Sequence, residues 1–190
     1  MKDLNSKIKE YVQKRKTDPR YYPGLLGLNV VQGIFKKNSE STNIEKVLLK
    51  VAVLNDLYHT HLTAPVKMAK HIVSIPDLDE KIKMGSPDAV TKISKITMKG
   101  TSERDLYIFA TKYCFMANPK MYFIYDPIVH KQLIRYLNLP LEESTRLNEY
   151  EFFASKMQEL IKQYKIKASH IDLDTFLWIE GHEEFSHKIF

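Results

Sequence analysis

The sequence predicts an all-α protein. Apolar residues recur at three- and four-residue spacing through most of the chain, and the stretches are separated by Ser, Thr, Asn or Asp followed by Pro or Gly breaks. No pair of alternating stretches reads as neighbouring strands; Tyr122-Phe-Ile-Tyr125 is apolar but short and isolated. At 190 residues, with 44% hydrophobic and 27% charged residues, the chain is expected to form one compact helical domain. Within 1–190 three segments stand out: a basic N-terminal segment 1–43, a central portion 44–137, and C-terminal helices 138–190.

The first helix is expected over 4–16, with Leu4, Ile8, Tyr11 and Val12 on one face. Asp18 to Gly24, carrying Pro19 and Pro23, breaks it, and a short helix follows from Leu25 to Phe35. The polar run 36–43 ends in a cap for a helix over 44–59, whose stripe is Ile44, Val47, Leu48, Val51, Leu54, Asn55 and Tyr58. Thr63 is the expected N-cap of the next helix, with Pro65 in its first turn and Val66, Ala69, Ile72 and Val73 on its apolar face. Residues 76–85 form a connector with about one helical turn, and Ser86-Pro87 opens a helix to about Ile96. Met98 to Ser102 is a tight turn, and Thr101 or Ser102 caps a helix that runs to Ala117. A helix from Asp126 to about Leu137, a long one over 147–164, and a last one from Ile171 to Ile179 stopped by Gly181 complete the set.

Composition narrows the functional classes. No apolar run approaches the ~20 residues that span a bilayer, and residues 1–10 lack a signal-peptide core. Cys114, the one cysteine, excludes an internal disulfide and fits a cytoplasmic protein; its place in a helical pattern reads as core. The net charge of +6 resides in residues 1–50, which hold 11 Lys/Arg against 5 Asp/Glu, while the other 140 hold 18 of each. This asymmetry is read either as a polyanion contact or as a solvated basic helix face. His59-Thr-His61 lacks a third ligand nearby, and His71, His130, His170, His182 and His187 show no ligand spacing, so neither a metal nor another cofactor is expected.

Four features have side chains suited to chemistry. Asp126-Pro127 is the preferred pair for a helix start, and a capping carboxylate can use one oxygen on backbone amides while the other faces a cleft. Asn55 on an apolar stripe must find partners, either by bracing a neighbouring backbone or by lining a polar pocket, and Tyr58 shares its stripe. Lys112, within an apolar helix, either snorkels to the surface or points inward, where it could hold a phosphate or neighbour Asp126. Lys99, Gly100, Thr101, Ser102 and Arg104 place small residues and positive charge around a helix start, which suits a phosphate.

Together these residues resemble the helix-hairpin-helix DNA glycosylase superfamily, at the level of pattern and over about residues 44–137. Met98-Lys-Gly-Thr-Ser102 resembles its hairpin, Glu103 to Met116 the hairpin's second helix, and Ile124-Tyr-Asp-Pro-Ile-Val129 its aspartate junction. The family's hairpin usually reads Leu-Pro-Gly-Val-Gly, whereas this chain has Gly100 alone. The resemblance implies a two-lobed helical fold and a hairpin that grips one strand of duplex DNA through backbone amides. It also implies an aspartate that stabilises a sugar cation or aligns the attacking water. A base-flipping enzyme of this kind would use Asp126 as the catalytic carboxylate and Asn55, Tyr58, Lys112, Asn118 and Tyr125 around the flipped base. Members that also nick DNA carry a lysine at the start of the hairpin's second helix; Ser102 to Arg104 has none, which implies a monofunctional enzyme, and a monomer is expected. It would act in repair or against modified bases of invading DNA. The alternatives are a non-catalytic DNA-binding module on the same scaffold and an unrelated helical interaction protein.

Overall fold

The computed structural model describes residues 3–186, with side chains to Phe185; His187 lies outside the described residues. Among the described residues all regular structure is helical, in eleven helices. In chain order these are α1 (Leu4–Thr17), α2 (Tyr22–Lys37), α3 (Ile44–Leu57), α4 (Pro65–Ser74), α5 (Leu78–Met84), α6 (Pro87–Ser94), α7 (Glu103–Ala117), α8 (Pro127–Leu137), α9 (Leu141–Arg146), α10 (Tyr150–Gln163) and α11 (His170–Ser186). No helix of the described residues is long and apolar enough to cross a membrane.

The chain divides into two compact units, one built from residues 1–25 and 123–190 and the other from 26–122. In unit 2, α3 packs on α4 and on α7, and α6 packs on α7 and α5. Of the stripe predicted for α3, Val47, Val51 and Leu54 are fully inaccessible and Ile44 is exposed; on α4, Met68, Ala69 and Ile72 are fully inaccessible and Val66 is exposed. Helix α7 is covered over most of its circumference, from Leu106 through Phe109, Ala110, Tyr113, Cys114 and Phe115. Cys114 is a core residue, and burial alone pushes its thiol well above the usual range.

Unit 1 is held by α11, which packs on α1 and α8, while α8 also meets α10. The helix does not stop at Gly181 but continues to Ser186. Gly181 instead marks the close approach of α11 to α8, since a Cβ there would lie 2.3 Å from Ile128 Cγ2 and 3.1 Å from Gln132. A contact glycine and a stop glycine look alike in a sequence.

Three further boundaries differ from the sequence expectation. Helix α2 begins at Tyr22, with Pro23 in its first turn, where the missing amide costs nothing. Helix α9 is an extra short element where a connector was expected. Helix α4 has no side-chain cap: Ala64 is its N-cap residue, and the hydroxyl of Thr63 is engaged elsewhere.

Three of the five cations of α1, Lys7, Lys14 and Arg15, have side-chain partners within unit 1. Lys7 pairs with Glu180 at 3.1 Å, Lys14 pairs with Glu183, and Arg15 donates to Thr175 Oγ1 at 2.6 Å. Arg20 pairs with Asp18 at 2.7 Å, which holds that carboxyl down to about 2. Lys7, Lys14 and Arg20 therefore face carboxylates of their own unit.

Candidate functional site

The tight turn expected at Met98 to Ser102 forms the connection between α6 and α7. The chain turns at Lys99-Gly100, where Gly100 takes the left-handed conformation at φ +77°. Ser102 then caps α7 through a reciprocal box with Asp105, its Oγ accepting from the Asp105 amide at 3.1 Å. Lys99, Gly100, Ser102 and Arg104 are exposed and Thr101 is half-buried. The Gly100 amide donates to no acceptor among the described residues, and the Lys99 and Arg104 side chains make no ion pair there.

Thr63, in the α3–α4 loop, fixes this turn. Its hydroxyl donates to Lys99 O at 2.9 Å, lies 2.9 Å from Thr101 Oγ1, and its amide donates to the same Thr101 oxygen at 3.3 Å. Lys67 adds a bond from Nζ to Thr97 O at 2.8 Å.

Asn55 organises the α3–α4 loop itself. Its Oδ1 accepts from Thr60 Oγ1 and from the Leu62 amide, both at 2.8 Å, and its Nδ2 donates to Leu62 O at 3.1 Å. Bracing, one of the two roles open to it from sequence, is what its geometry performs. Under that brace His59 and His61 sit at φ +46° and +58°, a region costing a non-glycine residue about 1–2 kcal/mol each.

Lys112 does not snorkel. It is 8% exposed, and its Nζ donates to Tyr58 O at 3.3 Å and lies 5.7 Å from the Tyr58 ring centroid. The tie reaches the C-terminus of α3, where Tyr58 is the C-cap residue. Asn118 performs a comparable task at the end of α5, with Nδ2 donating to Ile82 O at 3.0 Å and Lys83 O at 3.2 Å.

Asp126 and Tyr125 belong to unit 1, whereas Asn55, Tyr58, Lys99 to Arg104, Lys112 and Asn118 belong to unit 2. Asp126 is half-buried and caps α8, its Oδ1 accepting from the Ile128 amide at 2.8 Å. Its Oδ2 accepts no hydrogen bond among the described residues. Tyr125 is buried; its hydroxyl donates to Asn148 Oδ1 at 3.0 Å and meets His130 Nδ1 at 2.9 Å.

Two buried polar groups were not singled out from sequence. Lys50 is 1% exposed, donates to Glu40 O at 3.0 Å, and lies over the rings of Phe35 at 5.5 Å and Tyr113 at 5.3 Å. Burial lowers its ammonium from the ordinary lysine value to about 8, against the opposing pull of Asp79 and Glu40. Beside it the Tyr113 hydroxyl is buried, with Ser41 as its polar neighbour. The signal was legible: position 50 lies three residues after Val47 and four before Leu54, on the inward stripe. Gln132, on the inner face of α8, is fully inaccessible, and neither its Oε1 nor its Nε2 has a hydrogen-bond partner. Among the described residues no group of three or more His, Cys, Asp and Glu side chains is placed to hold a metal.

Comparison with known proteins places the chain in a family without supplying an activity. A family model described as an N-terminal domain, HI_0787_N, matches residues 7–121, ending one residue before the last residue of unit 2, Tyr122. A protein of Haemophilus influenzae described as uncharacterized is 35% identical over 154 residues, covering 77% of this chain and 71% of that protein. No solved structure matches the chain. A model spanning more than half of the sequence, together with a relative this similar, means that the chain belongs to the HI_0787_N family.

Proposed function

We propose that this protein is a monofunctional DNA glycosylase of helix-hairpin-helix type, which cleaves the N-glycosidic bond of a flipped base to leave an abasic site. The observation that carries the reading is Asp126, a half-buried carboxylate fixed through one oxygen at the start of α8 with the other oxygen unused. As the bond between C1′ and the base nitrogen breaks, the electron pair leaves with the base and positive charge develops on the sugar. The unused Oδ2 offsets that charge, or accepts a proton from the water that adds to C1′, as carboxylates do in glycoside hydrolysis. The α6–α7 turn supports the DNA-binding half of the reading through the undonated Gly100 amide and the unpaired Lys99 and Arg104. Lys112, buried against Tyr58, and the absence of lysine from residues 102–104 both favour hydrolysis over a Schiff-base lyase.

A second reading, a DNA-binding module without catalysis, is favoured by the side-chain amide groups of Asn55 and Asn118, which donate to backbone carbonyls rather than to a base. The two readings separate in an abasic-site assay on duplexes carrying deaminated, oxidised, alkylated or glucosylated bases. The glycosylase releases a base and Asp126→Asn does not; the binding module shows salt-sensitive binding with no release.

A further inference from the structure

Of the cations that the sequence concentrates in residues 1–50, Lys7, Lys14 and Arg20 pair with carboxylates inside unit 1. The unpaired cations of unit 2 point to a different surface. Segments 56–70 and 95–104 carry Lys67, Lys70, Lys95, Lys99 and Arg104 against the acids Asp56 and Glu103. All five cationic residues are exposed, and none forms an ion pair among the described residues. The two segments are physically joined: Thr63 bonds to Lys99 O and Thr101 Oγ1, and Lys67 reaches Thr97 O. His59 and His61, both exposed and without a partner among the described residues, stand on the same loop in left-handed backbone. Each imidazole offers an N–H donor even when neutral.

We infer that the α3–α4 loop and the α6–α7 turn form one composite surface, coupled through Thr63, that binds the phosphate backbone of DNA. The inference rests on the proposed DNA-binding role of the turn and extends it to a second loop. Unpaired cations with neutral donors between them suit a partner with regularly spaced phosphates, because each contact made by Lys or Arg releases a counterion. Lys67 and Lys70, three residues apart on α4, lie on one side of that helix and supply the loop's charge. Thr63 is a positioning residue: it holds the Lys99-Gly100 turn rather than touching the phosphates.

The test is salt-dependent binding of the full-length protein to a short fluorescent duplex. Lys67→Ala/Lys70→Ala should lower affinity about 10-fold or more and reduce the slope of log affinity against log salt by about 2, about 1 per lost phosphate contact. His59→Ala/His61→Ala should weaken binding at every salt concentration. Thr63→Val should weaken binding with little change in slope, and Thr63→Ser, which keeps the hydroxyl, should restore it. Loop variants that bind like the wild type, while Lys99→Ala/Arg104→Ala loses affinity, would overturn the composite surface and leave the turn's role intact. Failure of the wild type to bind duplex at all would overturn both.

Discussion

Replacing Lys50 with methionine should change how the stability of unit 2 depends on pH, and in an unusual direction. An unfolded lysine holds its proton to about pH 10.4, whereas the folded Lys50 releases it near 8. Between those values the unfolded chain binds more protons than the folded one, so the lysine's contribution makes stability rise with pH. The depressed value means that at pH 7 the buried charge costs about 3 kcal/mol relative to the neutral amine, and this cost is fully relieved only above the unfolded value. Methionine fills a similar volume without the charge but loses the bond to Glu40 O, worth about 1 kcal/mol. Lys50→Met should therefore be more stable than wild type by about 2 kcal/mol at pH 7. That advantage should shrink through pH 8 to 10 and vanish or reverse by about pH 10.5. Urea unfolding of both proteins at pH 7, 8, 9 and 10 provides the difference directly. Titrating groups common to both, including Tyr11, pushed up to about 12 by burial and Glu183, largely cancel. A difference that stays flat, or grows with pH, would refute a desolvated ammonium at position 50.

Three substitutions test the packing around the other positions. Gln132→Met should stabilise the protein by about 1–2 kcal/mol in urea unfolding, because it removes two buried polar atoms that lack partners; a loss of stability would mean that the amide is hydrogen-bonded in solution. Gly181→Ala should destabilise by about 1–2 kcal/mol, since the clash with Ile128 outweighs the gain in helix propensity; a rise in thermal midpoint would show that α8 and α11 can separate freely. Asn55→Ala should cost about 2–4 kcal/mol, because three hydrogen bonds vanish and the Leu62 amide, on a 5% exposed residue, loses its acceptor; a loss below about 1 kcal/mol would argue against the brace.

The helices were legible wherever local chemistry decided them. Asn43, Ser102 and Asp126 each cap the helix they precede, and the stripe at 47, 51 and 54 is the buried face of α3. Legibility ended where a residue's role depends on a distant partner. Gly181 resembles a helix stop, yet it is the point where α8 crowds α11. Thr63 resembles a cap, yet its hydroxyl bonds 36 and 38 residues away, to Lys99 and Thr101. Lys7 and Lys14 read as solvated cations in the sequence, yet Glu180 and Glu183, far along the chain, lie beside them. His59 and His61 take left-handed backbone in a loop whose Thr60 and Leu62 bond to Asn55, a pairing that depends on the loop's closure rather than on the sequence pattern. The candidate site divides in the same way. The turn at Gly100 and the cap at Asp126 were visible as local motifs, while the occupations of Lys112 and Asn118 depend on carbonyls of other helices.

Base release is the measurement on which the functional account stands. Purified wild type and Asp126→Asn, each incubated with duplexes bearing deaminated, oxidised, alkylated or glucosylated bases, are assayed for alkali-labile abasic sites. Asparagine caps a helix nearly as well as aspartate, so the variant should keep wild-type stability within about 0.5 kcal/mol while losing the negative charge. The account predicts strand breaks after alkali on at least one substrate with the wild type and a loss of about 100-fold or more with Asp126→Asn. Equal base release by both proteins would contradict the role given to Asp126. No release on any substrate, with duplex binding retained, would leave the non-catalytic module in its place.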